Sequence, residues 1–234
     1  MSLDLGRFEA MTFDCYGTLI DWETGILEGL ARALDGRGVS LPDDEELLVR
    51  YARHEAELEA GPYRTYRDIL AAAATAVASD LGMTLDAAGA AAFGGSVVDW
   101  PAFPDAPAAL ARLATRFRLG VLTNCDDDLF AASNDRLGVT FDWVVTAQQV
   151  GSYKPSPANF DALLARVDVA PERIVHVAQS LYHDHVPAKQ LGLTTVWVDR
   201  RHDRPGAGAT PPATAVPDAR FVDLASLAAE AVRA

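Results

Sequence analysis

Short apolar runs alternate with helical patterns along this chain, and that alternation limits the fold more than any other feature. The runs are Ala10–Asp14, Leu119–Thr123, Trp143–Thr146, Ile174–Ala178 and Thr194–Val198. They are apolar nearly throughout, as strands covered on both faces are. Helical patterns follow the later runs at Asp128–Leu137, Pro157–Val167 and Val186–Leu191. Another, Pro107–Thr115, leads into the second run, with proline at its first position, where a missing N–H costs nothing. Strand and helix in turn predict a parallel sheet with helices on both faces. The exception is the stretch from about Thr24 to Val97, which reads as helix only: Gly25–Leu34, Asp43–Glu59, Tyr66–Asp80 and Leu85–Phe93. In "SLPDDEE" (40–46), Ser40 or Asp43 caps a helix whose first turn is acidic, and "AGPYR" (60–64) is a break.

The expected architecture is therefore α/β: a Rossmann-like parallel sheet core with an inserted all-helical cap domain. The core is expected over 1–22 and 98–234 and the cap over 23–97, with linkers near Asp21–Glu23 and in "VVDWPAFPDAP" (97–107). The Gly- and Pro-rich stretch 204–217 reads as a surface loop. A formal charge of −13 over 234 residues disfavours nucleic acid and anionic membrane as partners. We read no signal peptide and no apolar stretch long enough to span a bilayer. Cys15 and Cys125 form no metal-spaced or disulfide-rich pattern, which suits a reducing cytoplasm. A homodimer is compatible with all of this.

Ligands of open parallel sheets bind beyond the carboxyl ends of the strands. Asp14 sits at such an end. So do Thr123 and Asn124 after the second run, Lys154 after the third, and the segment Gln179 to Asp184 after the fourth. Lys154 and Lys189 are the only lysines among 20 basic residues, and Lys154 stands among turn residues in "VGSYKPSP". Each residue alone has a plainer account. Asp14 caps a turn, Thr123 closes one, Lys154 is a solvated charge, and Asp184 caps a helix flanked by His183 and His185. An acid, Thr-Asn, a lysine and an acid at successive strand ends are hard to produce by capping alone. A carboxylate beside an ammonium stays ionised and can act as a nucleophile.

The order of these residues, in "FDCYGT" (13–18), "LTN" (122–124), "YKP" (153–155) and "SLYHD" (180–184), resembles the haloacid dehalogenase-like hydrolases. The resemblance covers nearly the whole chain and implies the same core with a helical cap after the first strand. Phosphatase members carry a second acid two residues after the nucleophile, and an acid that binds magnesium at the start of the last motif. Here those positions hold Tyr16, a poor acid at neutral pH, and Gln179. A site so short of acids suits magnesium badly. The expectation is no metal and no cofactor.

The 2-haloacid dehalogenases share the pattern of nucleophile, one residue, then Tyr-Gly-Thr. That resemblance implies that Asp14 attacks the carbon bearing the leaving group, and that water then hydrolyses the Asp14 ester. Lys154 would offset negative charge, and Asp184 would hold the lysine or a water. Thr18, Thr123 and Asn124 would bind a small carboxylic-acid substrate or orient Asp14. Among cap arginines Arg53, in "YARHEAELE", matches best the one that binds halide or carboxylate, with Arg64 and Arg67 as alternatives. The last motif departs from these dehalogenases in Gln179 and Leu181, around Ser180. "FDCYGTLIDWETGI", "WPAFPD", "VGSYKP", "SLYHDH" and the "RRH…GAT" of 200–210 are similar to azetidine-2-carboxylate hydrolase and its relatives, which cleave a C–N bond beside a carboxylate. Trp22 and Tyr182 would then line the pocket, although both also suit a core or hinge. Three functions stay open. The leading one is a metal-independent hydrolase displacing halide or ring nitrogen alpha to a carboxylate. The others are a magnesium-dependent phosphatase and a non-catalytic protein that binds a small acid or another protein.

Overall fold

The computed structural model of the protein describes residues 3–35, 41–202, 204, 206 and 208–233. The chain opens with β1 (Ala10–Phe13), every residue of which is buried. It then runs through α1 (Trp22–Leu34), α2 (Asp44–Glu59), α3 (Tyr66–Asp80) and α4 (Ala87–Gly94) before α5 (Ala106–Leu113) leads into β2 (Arg118–Thr123). The remainder alternates: α6 (Asp127–Leu137), β3 (Trp143–Thr146), α7 (Ala147–Val150), α8 (Pro157–Arg166), β4 (Ile174–Ala178), α9 (Val186–Gln190), β5 (Thr194–Val198), β6 (Ala219–Phe221) and α10 (Leu224–Ala231). The strands form one sheet in the order β3-β2-β1-β4-β5-β6. Every neighbouring pair is parallel. Chain order reverses direction across the sheet at β1 and β4, so the crevice for a ligand lies over their carboxyl ends.

Local chemistry explains the element boundaries. Asp43 accepts a hydrogen bond from the Glu46 N–H at 2.8 Å and caps α2, while Ser40 lies outside the described residues. Asp21 caps α1 through the Thr24 N–H. The helix therefore starts at Trp22, inside the expected linker and three residues before the periodicity indicated. Asp86 caps α4 through the Gly89 N–H at 2.7 Å, which moves that start from Leu85 to Ala87. Gly138 ends α6 in the left-handed conformation. β6 and α10 were not expected. β6 has three residues, none of them fully buried, too few to show an alternation. α10 is capped by Asp223 and buries Leu224, Leu227 and Ala228.

The inserted helices α1–α4 dock on the sheet through the carboxyl-end loops. Asp126, after β2, accepts the N–H groups of Tyr66 and Arg67 at 2.9 and 3.1 Å, so a core carboxylate caps the helix of the insert. Tyr153 donates to the Arg64 carbonyl at 2.8 Å. Arg201, in the loop after β5, pairs with Glu23 of α1 and Glu45 of α2. The return connection is anchored by Trp100, which is 1% exposed. A side chain at Gly25 of α1 would place its Cβ 2.3 Å from Trp100 Cγ. Among the described residues, no helix is long and apolar enough to cross a membrane.

Gly25→Ala is expected to cost about 1–3 kcal/mol through overpacking against Trp100, despite the better helix propensity of alanine. A thermal melt no lower than that of the parent would show that the Trp100 packing does not hold α1.

Candidate active site

The site begins where β1 stops. The Asp14 N–H still donates to Val177 O of β4 at 3.0 Å, and the chain then turns. The N–H groups of Thr18, Leu19 and Ile20 converge on the Cys15 carbonyl at 3.2, 2.7 and 3.0 Å. Gly17 takes a φ of 90°, and a Cβ there would lie 2.9 Å from Trp22 Nε1, so glycine is required. The turn folds Thr18 back onto the acid. Thr18 Oγ1 accepts the Gln179 N–H at 2.9 Å and gives its own proton to Asp14 Oδ2 at 2.6 Å.

Lys154 fills the space between two acids. Its Nζ donates to Asp14 Oδ1 at 2.9 Å, to Asp184 Oδ1 at 2.7 Å and to the Leu122 carbonyl at 3.0 Å. All three ammonium protons are thus used by a side chain only 1% exposed. Asn124 fixes this lysine by its backbone: Oδ1 accepts the Lys154 N–H at 2.7 Å, and Nδ2 donates to the Lys154 carbonyl at 3.0 Å. Asp184 comes from the turn Leu181–His185, whose start is capped by Ser180 through the His183 N–H. It is not a helix cap. His176 of β4 stands behind it, with Nε2 3.0 Å from Asp184 Oδ1 and Nδ1 2.9 Å from Thr12 Oγ1. A hydrogen on Nε2 satisfies both contacts.

The two acids differ in environment. Burial works to raise Asp184, but Lys154 and His176 outweigh it and hold its carboxyl well below the usual carboxylate range. Burial raises Asp14, with Lys154 opposing and Asp184 reinforcing. Burial also works against the Lys154 charge, yet Asp14 and Asp184 carry its pKa upward. Asp14 is therefore the more basic of the two carboxylates, which favours nucleophilic attack. Asp184 Oδ2 is buried with no hydrogen-bond partner among the described residues.

Asp14, Lys154, Asp184, Asn124, Ser180, Tyr16 and Trp22 line one small cavity with about 20 Å³ of free room, roughly that of one water. Tyr16 presents its ring there, while its hydroxyl lies 3.0 Å from Ser133 Oγ and accepts from Cys125 Sγ at 3.3 Å. Burial pushes that phenol well above its ordinary pKa. The other expected residues lie elsewhere. Thr123 Oγ1 is buried with no hydrogen-bond partner among the described residues, and Thr123 does not line the cavity. Gln179 turns toward the loop after β5, where its Oε1 accepts from Thr210. Tyr182 lines a neighbouring outer recess of about 360 Å³. Arg53 pairs with Asp80, Arg64 donates to the Asp68 carbonyl and Arg67 pairs with Asp128, so none of the three reaches Asp14.

Sequence reading missed three residues. His176 was counted as one position of an apolar strand. Glu55 and Glu59, on α2, line the cavity opposite Asp14. The signal for both acids was available: they extend the buried stripe of Leu47, Leu48, Tyr51 and Ala52 at helical spacing, where apolar residues belong.

The donor set does not fit a divalent cation of the phosphatase kind. Tyr16 is committed to Ser133 and Cys125, Gln179 faces away, and an ammonium joins the two remaining acids. Among the described residues no group of three or more His, Cys, Asp or Glu side chains is placed to hold a metal.

Comparison with known proteins agrees with the geometry at the level of the fold. The solved L-2-haloacid dehalogenase PA0810 superposes with a TM-score of 0.78 at 24% identity, covering 97% of this chain and 100% of that one. The L-2-haloacid dehalogenase from Xanthobacter autotrophicus with chloropropionic acid covalently bound gives 0.79 at 22%, covering 97% and 98%. A phosphoserine phosphatase from Thermus thermophilus is 34% identical over 130 residues, 53% of this chain and 49% of that protein. The chain spans about half the length of the curated relatives it matches. Residues 8–192, from just before β1 to just past α9, match the haloacid dehalogenase-like hydrolase family, and the chain belongs to it.

Proposed function

We propose that this hydrolase displaces a substituent alpha to a carboxylate through an aspartyl ester, without a metal. The observation that carries this reading is the commitment of the Tyr16 hydroxyl to Ser133 and Cys125, beside an Asp14 held by Thr18 and Lys154. No acid stands two residues after the nucleophile to protonate a leaving alkoxide, so the leaving group must depart without that proton. A group alpha to a carboxylate that leaves as halide or as an amine meets this condition.

In the first step an Asp14 oxygen bonds to the alpha carbon and the bond to the leaving group breaks, its electron pair departing with that group. Lys154 offsets the repulsion between Asp14 and the reactant carboxylate; at an effective dielectric near 20, charges about 4 Å apart interact by about 4 kcal/mol. In the second step water attacks the Asp14 ester carbonyl. Asp184 Oδ2, buried without a partner among the described residues, accepts a hydrogen bond from that water; one of the water's protons ends on the departing hydroxyl oxygen and the other is released to solvent. Hydrolysis releases a hydroxy acid and regenerates Asp14. With room for about one water, the cavity must widen before a reactant enters, which a movement of the inserted helices would allow.

Ring nitrogen is a second reading for the leaving group. Lys154 is the only Lys or Arg lining the cavity among the described residues, and Arg53, Arg64 and Arg67 are paired elsewhere. A halide leaving as an anion finds no cap cation to receive it. An amine leaving as a neutral group needs none.

Asp14→Asn is expected to abolish turnover while the melt stays near that of the parent, because the amide is nearly isosteric. A single turnover in heavy-oxygen water should label the Asp14 carboxylate and leave the product unlabelled; label in the first-turnover product would rule out the ester. Activity on 2-substituted acids is expected to withstand EDTA, with little hydrolysis of p-nitrophenyl phosphate even in added magnesium. Robust magnesium-dependent phosphatase turnover would instead favour the activity of the curated relatives. Arg53→Ala is expected to leave kcat/KM within about twofold, since rim charges facing solvent contribute little. A rise in KM of tenfold or more would place Arg53 on the reactant after cap movement.

A further inference from the structure

His176 takes no part in the mechanism above, yet it touches the acid that the mechanism needs for water. Its position follows from strand register. Thr12 of β1 and His176 of β4 are direct partners in the parallel ladder, so their side chains stand side by side on one face. Both are fully buried. On its other side Thr12 partners Gly120 of β2, where a Cβ would lie 3.1 Å from Thr12 Cγ2. The missing side chain makes room for the Thr12 methyl, and Oγ1 turns to His176 Nδ1 at 2.9 Å. The Phe160 ring packs edge to face with the imidazole, 5.2 Å between centroids. These neighbours leave the ring one orientation, with Nε2 at 3.0 Å from Asp184 Oδ1.

The tautomer follows from acceptor chemistry. An ionised carboxylate only accepts, so a neutral His176 carries its hydrogen on Nε2, and Thr12 donates to the bare Nδ1. Asp184 Oδ1 then receives two donors, this N–H and Lys154 Nζ at 2.7 Å. Oδ2 receives none among the described residues. Asp184 also lines the cavity that has room for about one water. The two donors are not equivalent. An ammonium turns its protons freely, and Lys154 also serves Asp14 at 2.9 Å. Once Asp14 becomes an ester it carries no charge, and its pull on that ammonium weakens. The imidazole is planar, locked by Thr12 and Phe160, and untouched by that change. In the ester state it keeps the Asp184 carboxylate from turning.

We infer that His176 is the positioning residue of the hydrolytic step: through its Nε2–H it holds Asp184 with Oδ2 presented to the water that attacks the Asp14 ester. This deepens the proposed displacement reaction and rests on it for the ester. The water oxygen bonds to the Asp14 carbonyl carbon, and the bond from that carbon to the product oxygen breaks. The product oxygen takes one proton of the water, and the other goes to solvent. Ester formation needs no such water, so the two half-reactions respond differently to loss of His176. Thr12 acts one step further back, by keeping hydrogen off Nδ1.

Rapid-quench mass spectrometry of the intact protein with DL-2-chloropropionate would follow the Asp14 adduct, with Asp14→Asn as the background for alkylation elsewhere. His176→Leu is expected to hold the adduct and to hydrolyse it at least about tenfold more slowly than the parent, since a small misplacement of a reacting group costs up to about 100-fold. Its kcat and KM should fall together, leaving kcat/KM, which reports ester formation, within about threefold. His176→Gln, whose amide N–H takes the place of Nε2–H, should recover most of the loss. Thr12→Val, nearly isosteric, should slow hydrolysis by a smaller factor, and it carries the test if the leucine variant melts early. Nitrogen-15 NMR of histidine should show one protonated and one bare ring nitrogen on His176. Unchanged hydrolysis in both His176→Leu and Thr12→Val, equal loss in both half-reactions, failure of glutamine to rescue, or hydrogen on Nδ1 would overturn the inference and leave the ester mechanism standing. Absence of the adduct in every form, the parent included, would instead sink the displacement reaction and the inference with it.

Discussion

One buried ammonium governs the site. Lys154 lies between Asp14 and Asp184 with all its protons used. Removing one partner from such a buried set costs about 3–5 kcal/mol, because the remaining charges are left without compensation. The neighbouring contacts keep this set in register. Asn124 grips the Lys154 backbone, His176 backs Asp184, and Thr18 closes on Asp14. The same arrangement separates the two carboxylates. Asp184 is bound by both a cation and an imidazole, while burial leaves Asp14 the more basic of the two. Two acids in unequal surroundings can take different parts of one reaction.

This set sits at the sheet's carboxyl edge because parallel strands end there together. β1, β2, β3 and β4 lie side by side, so the turns after them supply the acid, the amide, the lysine and the second acid within a few ångströms. The inserted helices complete the cavity wall with Glu55, Glu59 and Tyr66. Asp126, Tyr153 and Arg201 hold them down from the core side. That docking carries Glu55 and Glu59 to the cavity and turns Arg53 outward. In the proposed reaction the core supplies the nucleophile, and the insert lines the cavity that it faces.

Much was legible in the chain itself. The strands of the buried sheet stood out because residues covered on both faces must all be apolar. Asp14, Lys154 and Asp184 stood out because they follow such runs, where the backbone turns toward the ligand crevice. Their order carried the family. The short β6 and the helix after it gave no comparable signal, since a partly exposed three-residue edge strand has no period.

Sequence alone determined the sheet, the insert, the acid at the end of β1 and the absence of acids at positions 16 and 179, because these depend on local pattern and on which residue type fills a motif position. Tertiary structure decided where each side chain points. Nothing in "YARHEAELE" says that Arg53 pairs with Asp80 while Glu55 and Glu59 are buried beside Asp14; that follows from which face of α2 the core covers. Nothing in "FDCYGT" says that the Tyr16 hydroxyl leaves the cavity for Ser133 and Cys125, more than a hundred residues away in the chain. Contacts of that range form only once the chain has closed on itself, and they set the charge that a reactant meets.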